Sequence, residues 1–191
     1  MPSHRASSAR LAPSQVARND DRWEKPLPLL HWAAAALLLA SFALAVAGAW
    51  IEADGWDALA RLGHRTVGAI VFVLTVIRGV TRLRTSPPRS LAARRWQSRA
   101  ATLLHAALYG LLVAIPVLGY LTESARKGTV HFIAFDGPAL VPHDRALAET
   151  LQAVHQGLAW TLAAIVAAHV AAAAWHHFLL RDRTLLRMLG R

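Results

Sequence analysis

The sequence predicts an all-α protein, a transmembrane bundle of four helices. Three observations carry that expectation. The chain of 191 residues is 55% hydrophobic and only 17% charged, whereas soluble domains run at about 45–50% apolar and about 25% charged. Its apolar residues collect into four long runs instead of spreading along the chain. Its basic residues lie in the segments between the runs, alternately dense and sparse, as topology signals do.

The elements follow in order. Residues 1–25 are rich in Ser, Ala and Arg and lack an apolar core of signal-peptide length. A disordered cytoplasmic tail is expected there, a transit peptide being the other reading. The membrane domain is expected over 26–191. Its first helix is predicted over about 29–50, apolar except for His31 and Ser41. The second covers about 62–80, opening on GHRTVG. The third covers about 101–121, with His105 near its start and Pro116 inside, and the fourth covers about 151–180. Each reaches or approaches the roughly 20 residues that cross a bilayer core of about 30 Å. The fourth is longer, so it tilts or projects.

Charge gives the orientation. Arg5, Arg10, Arg18, Arg22 and Lys25 precede the first run. Arg82, Arg84, Arg89, Arg94, Arg95 and Arg99 join the second to the third, and Arg181, Arg183, Arg187 and Arg191 follow the fourth. The other two links hold only Arg61, and Arg126, Lys127 and Arg145. Four crossings put all three rich segments on one side, which makes both termini cytoplasmic. The net charge of +10 then belongs to topology and anionic membrane lipid, and no nucleic-acid partner is expected.

There are no cysteines and ten histidines. Disulfides, iron–sulfur clusters, thiolate metal sites and covalent C-x-x-C-H haem are thereby excluded. Topology assigns each histidine a depth. His31 opens the first helix at the inner face, His64 opens the second at the outer face, and His105 opens the third at the inner face. His155 and His169 lie fourteen residues apart on the fourth. That is about 21 Å along the axis and within roughly 40° around it, so both face one side of the bundle. His64 can meet His155 at the outer depth, and His31 can meet His169 at the inner depth. Two facing imidazoles can bind haem iron from both sides, so two stacked haem b groups between the helices are expected. Gly48, Gly68 and Gly157 would leave room for the macrocycles. Arg65 outside and Arg78 inside would serve the propionates.

Other readings stand beside this one. An intramembrane histidine can be structural, bonded to a neighbouring carbonyl, although polar groups at that depth are functional candidates by default. Zinc or copper suits two separated histidine pairs without carboxylates less well than haem does. A histidine-based metal or proton transporter is the alternative of another class. His105 has no partner expected at its depth and is a structural, ligand or quinone-pocket candidate. His176 and His177, two turns below His169, are solvated interfacial residues or quinone-side groups. His4, His131 and His143 need no special role. Trp32, Trp50, Trp56, Trp96, Trp160 and Trp175 lie mostly near predicted boundaries, as an aromatic belt does.

The chain resembles the bacterial cytochrome b561 family in LHW at 30–32, GHRTVG at 63–68, LLHAALYGLL at 103–112 and IPVLGYL at 115–121. The resemblance continues in VHQGLAW at 154–160 and AAHVAAAAWHHFLLRDRTLLRML at 167–189. It implies a four-helix bundle in the bacterial inner membrane with two non-covalent b haems, ligated by His31, His64, His155 and His169. It also implies electron exchange with quinone, and in some members superoxide oxidation at the outer face. The long N-terminal tail and the 127–145 link, KGTVHFIAFDGPALVPHDR, depart from the family pattern, and that link would shape the donor site. The related alternative is a membrane-anchor subunit that takes electrons from a partner hydrogenase or dehydrogenase.

Overall fold

A computed structural model describes residues 26–51, 54–85, 95–182 and 184–189. The 1–25 tail, and Arg89, Arg94, Arg183 and Arg191 of the basic segments, lie outside the described residues. Four long helices dominate: α1 (Pro26–Trp50), α2 (Trp56–Arg84), α3 (Arg95–Lys127) and α4 (Arg145–Phe178). Each is long and apolar enough to cross a membrane. A two-stranded antiparallel hairpin, β1 (Val130–His131) and β2 (Asp136–Gly137), interrupts the α3–α4 link, and a short helix, α5 (Thr184–Met188), follows α4.

Three of these helices run more than a turn beyond an apolar run at one end or both. Backbone hydrogen bonding continues through polar turns that a hydropathy reading assigns to links. Pro26 and Pro28 lie in the first turn of α1, where a missing N–H costs nothing. α2 starts at Trp56 because WDALAR is helical, with Asp57 and Arg61 paired at 2.5 Å one turn apart. α3 continues through TESARK to Lys127. Asp144 caps α4, its side chain accepting from the Leu147 N–H at 3.0 Å.

The packing divides the bundle into two halves. α1 lies closely along α2, and α3 along α4, while α2 meets α3 over a shorter seam. Small residues permit the first contact, since a Cβ on Gly48 would stand 2.9 Å from that of Ala60. Only nine apolar residues are buried among those described, including Val71, Ile115 and Leu162. Much of the remaining apolar surface faces outward from the four helices, and a cavity of about 700 Å³ lined by all four opens between the halves.

Both ends are closed by structured chain. At the hairpin end, Ser124 Oγ accepts from the N–H groups of Leu140 and Val141 at 2.9 and 3.2 Å. The Tyr120 hydroxyl donates to Pro138 O at 2.6 Å, and Ile133 N–H reaches Thr66 Oγ1 at 3.2 Å. At the opposite end, where α1 starts and α4 finishes, Arg181 takes φ 53°. That left-handed conformation costs a non-glycine residue about 1 kcal/mol. It turns the chain back so that Trp32 Nε1 of α1 donates to Met188 O of α5 at 2.9 Å.

Candidate functional site

Four of the histidines singled out by depth meet in pairs across the gap between the halves. At the hairpin end His64 of α2 faces His155 of α4, with ring centres 6.2 Å apart and planes at 83°. At the termini end His31 of α1 faces His169 of α4 at 6.3 Å and 74°. A hydrogen bond of about 2.9 Å between two rings would bring their centres to about 5.1 Å. A metal between them, about 2.0 Å from each nitrogen and so about 3.1 Å from each ring centre, sets them about 6.2 Å apart. Both pairs therefore have the spacing of two imidazoles on one metal.

Two imidazoles supply only two ligands. Among the described residues no group of three or more His, Cys, Asp or Glu is placed to hold a metal ion. The donor set thus suits an iron whose equatorial positions are filled by a macrocycle.

The hairpin-end pair is oriented by backbone. His64 Nδ1 lies 2.9 Å from Ser41 O and 3.0 Å from Ser41 Oγ. His155 Nδ1 lies 2.9 Å from Ile115 O. A carbonyl accepts only, so each Nδ1 carries the proton and each Nε2 is left as a bare donor atom for a metal. Gly119 gives His155 its access. Its position is one turn after Ile115, and a Cβ there would stand 3.1 Å from His155 Cε1 and 3.3 Å from Nδ1. A cavity of about 700 Å³ opens around this pair, lined among others by Ser41, Gly48, Gly68, Gly119 and Phe132. Its size is that of a cofactor site.

The two arginines proposed for propionates lie at the two levels. Arg65 lines the cavity and pairs with the carboxylate of Glu123, which also faces Lys127 at 3.3 Å and Arg126 at 3.9 Å. Arg78 stacks on Tyr109, its guanidinium carbon 5.4 Å from the ring centre. Among the described residues, each arginine keeps a buried Nε–H with no hydrogen-bond partner. An orphaned charged donor is costly in a membrane protein, and an acidic group on a bound macrocycle would satisfy it.

The remaining candidates fall in different places. Gly68 and Gly157 face open space, where an added Cβ meets nothing within 4 Å. Gly68 lines the cavity and Gly157 is on the exposed side of α4. His105, expected to stand without a partner, has its ring 5.6 Å from that of His169, and its Nδ1 lies 2.6 Å from Ala101 O in its own helix. Helical spacing gives a residue's depth but not how closely α3 approaches α4, which is why this neighbour escaped the sequence. The His105–His169 spacing is shorter than a shared metal requires. His176 Nδ1 contacts Asp182 Oδ2 at 2.5 Å, whereas His177 packs edge-on against Phe178 at 4.8 Å.

Sequence reasoning missed Ser41, Gly119 and Glu123 as working parts. Ser41 was visible as one of two polar residues in the first run. A glycine inside α3, where it costs about 1 kcal/mol against alanine, also asks for a reason. Glu123 had the i,i+3 and i,i+4 spacing to Arg126 and Lys127, but its contact with Arg65 is set by tertiary packing alone.

Known proteins resemble this chain over most of its length. The sequence profile of prokaryotic cytochrome b561 matches residues 22–191. "Cytochrome b561 homolog 2" of Escherichia coli (strain K12) is 35% identical over 167 residues, 84% of this chain and 87% of that one. "Cytochrome b561 homolog 1" of the same organism is 28% identical over 173 residues, 90% and 98% of the two chains. "Probable superoxide oxidase CybB" of Yersinia pestis is 31% identical over 134 residues, 68% and 74%. With four helices of spanning length and two facing histidine pairs, the chain is an integral membrane protein that belongs to the prokaryotic cytochrome b561 family, a family of haem b-binding cytochromes.

Proposed function

We propose that the protein is a transmembrane dihaem cytochrome that carries electrons from a donor at the hairpin end to membrane quinone at the termini end. The basic segments support a termini end in the cytoplasm of a bacterial inner membrane. His64 with His155, and His31 with His169, would hold the two haems. The observation that carries this reading is the pair of ring spacings, 6.2 and 6.3 Å, at two depths of one helix.

Bound haem supplies a one-electron ferric–ferrous couple at each depth. The chain's own residues do the rest. Ser41 and Ile115 hold the outer imidazoles in the ligating tautomer. The open Nε–H groups of Arg65 and Arg78 receive acidic groups of the cofactors. Quinone takes protons as well as electrons, so its site belongs at the hydrated edge, where Arg78, His105, His176 and His177 are the candidates.

Superoxide is the donor to test first. The Yersinia pestis relative carries that activity in its name, and three cations, Arg65, Arg126 and Lys127, surround the carboxylate of Glu123 at the hairpin end. Arg126 and Lys127 are exposed there, in front of the more enclosed Arg65. Steering of an anion by these charges makes the reduction rate fall as ionic strength rises. A salt-independent rate counts against superoxide as the steered donor.

The deciding experiment is haem quantification on purified protein with a reduced-minus-oxidised spectrum. Two b haems per chain are expected, and one or none overturns the dihaem reading. A screen of donors against a quinone analogue then fixes the reaction.

A further inference from the structure

The termini end contains a polar pair that the haem ligands do not use. α4 finishes in a turn wound wider than an α-helix, with Leu180 N–H reaching Trp175 O at 3.2 Å and Asp182 N–H reaching His176 O at 3.1 Å. Left-handed Arg181 makes the second bond possible. The result brings the Asp182 carboxylate to 2.5 Å from His176 Nδ1, with the two side chains 23% and 32% exposed. The segment that holds them is tied to α1 through Trp32, whose ring is 5.2 Å from that of His31. The pair thus lies in the strap that closes the bundle beneath His31 and His169.

We propose that Asp182 is a positioning residue that makes His176 the proton-transfer group for quinone; this rests on the quinone reading above. A carboxylate only accepts, so His176 Nδ1–H donates to it and Nε2 is left open. His177, packed on Phe178, has no such acid among the contacts described. The structure therefore distinguishes two adjacent histidines that the sequence could not.

One quinone takes two electrons, arriving singly from the termini-end haem, and two protons, and becomes quinol. Each proton passes from Nε2 of a doubly protonated His176 to a quinone oxygen. The ring then regains a proton at Nε2 from water at the cytoplasmic edge. Asp182 keeps its bond to Nδ1–H throughout and faces the positive charge while the ring holds both protons. A helix cap with no catalytic part would need none of this, and the two roles separate in solution.

The test uses haem-loaded protein in detergent, reduced in advance and mixed either with a short-chain benzoquinone or with ferricyanide, which takes electrons without protons. Asp182→Asn is expected to slow oxidation by the quinone at least tenfold and to raise its solvent deuterium isotope effect. Its haem spectrum and ferricyanide rate should match those of the unaltered protein. Asp182→Glu should recover most of the quinone rate. A quinone rate within twofold of the unaltered protein's, or equal slowing with both acceptors, overturns the role of Asp182. If Asp182→Asn lost haem, His176→Gln would carry the same comparison. Unaltered protein that reduces ferricyanide but not the quinone overturns the quinone reading itself, and this proposal with it.

Discussion

The two histidine pairs have the same ring spacing but are held differently. At the hairpin end both rings are fixed by backbone carbonyls, those of Ser41 and Ile115, inside a formed cavity. At the termini end, among the described residues, no hydrogen bond holds the ring of either His31 or His169. His169 has a third imidazole, His105, beside it instead. The neighbouring arginines differ in the same way, Arg65 being answered by Glu123 and Arg78 by the face of Tyr109. One site is organised by protein before any cofactor arrives. On the proposed reading, the other would depend on its cofactor to fix its ligands. Preorganised ligands lose less freedom on binding, so the hairpin-end site should fill first and empty last.

The largest effects come from the ligands. His155→Ala should remove about one haem per chain and spare the termini-end one, and His169→Ala should do the reverse. Pyridine haemochrome assays on both variants check this, and two haems retained in either would break the pairing. Next is Glu123→Ala, which strands the partly buried Arg65 and should destabilise the haem-free protein by about 3 kcal/mol. Thermal unfolding in detergent measures it, and an unchanged midpoint would show that Arg65 finds another partner.

Gly119→Ala should have a smaller and more local effect. The new methyl presses on His155, and disturbing a ligand's supporting contacts costs 10–100-fold in metal affinity. About tenfold weaker haem binding is expected at the hairpin end alone, read from a haem titration of apoprotein. Gly110→Ala, in open space on the same helix, is the silent control. Ser41→Ala should be the mildest. It deletes the hydroxyl but leaves the carbonyl that fixes the tautomer, so a loss of about 1 kcal/mol or less follows. If Ser41→Ala weakened binding more than Gly119→Ala, the hydroxyl and not the carbonyl would be the anchor.

How much of this the sequence carried depends on what each feature is made of. The four helices were legible because a bilayer imposes a length on apolar runs, and LLHAALYGLL and AAIVAAHVAAAAW meet it. The two pairings were legible because fourteen residues fix both an axial distance and a facing direction. The helix ends were not, since TESARK and WDALAR are helical without being apolar. Nor were the anchors of the imidazoles. A backbone carbonyl such as that of Ile115 has no signature in sequence, and only the glycine that uncovers it leaves a trace. The neighbours of His105 and Glu123 escaped for a related reason, being chosen by how helices lean on one another.

The division of the bundle into two closely packed hairpins has a consequence for how the protein is made. Each hairpin can enter the membrane as a finished unit, but little apolar contact then holds one to the other. The two facing histidine pairs join opposite hairpins, α1 and α2 against α4, so on the proposed dihaem reading each cofactor would act as a clasp across the divide. A newly made chain without cofactor would be two loosely associated halves, open to membrane proteases. The cell's supply of cofactor would then set the amount of this protein directly, with no dedicated regulator needed.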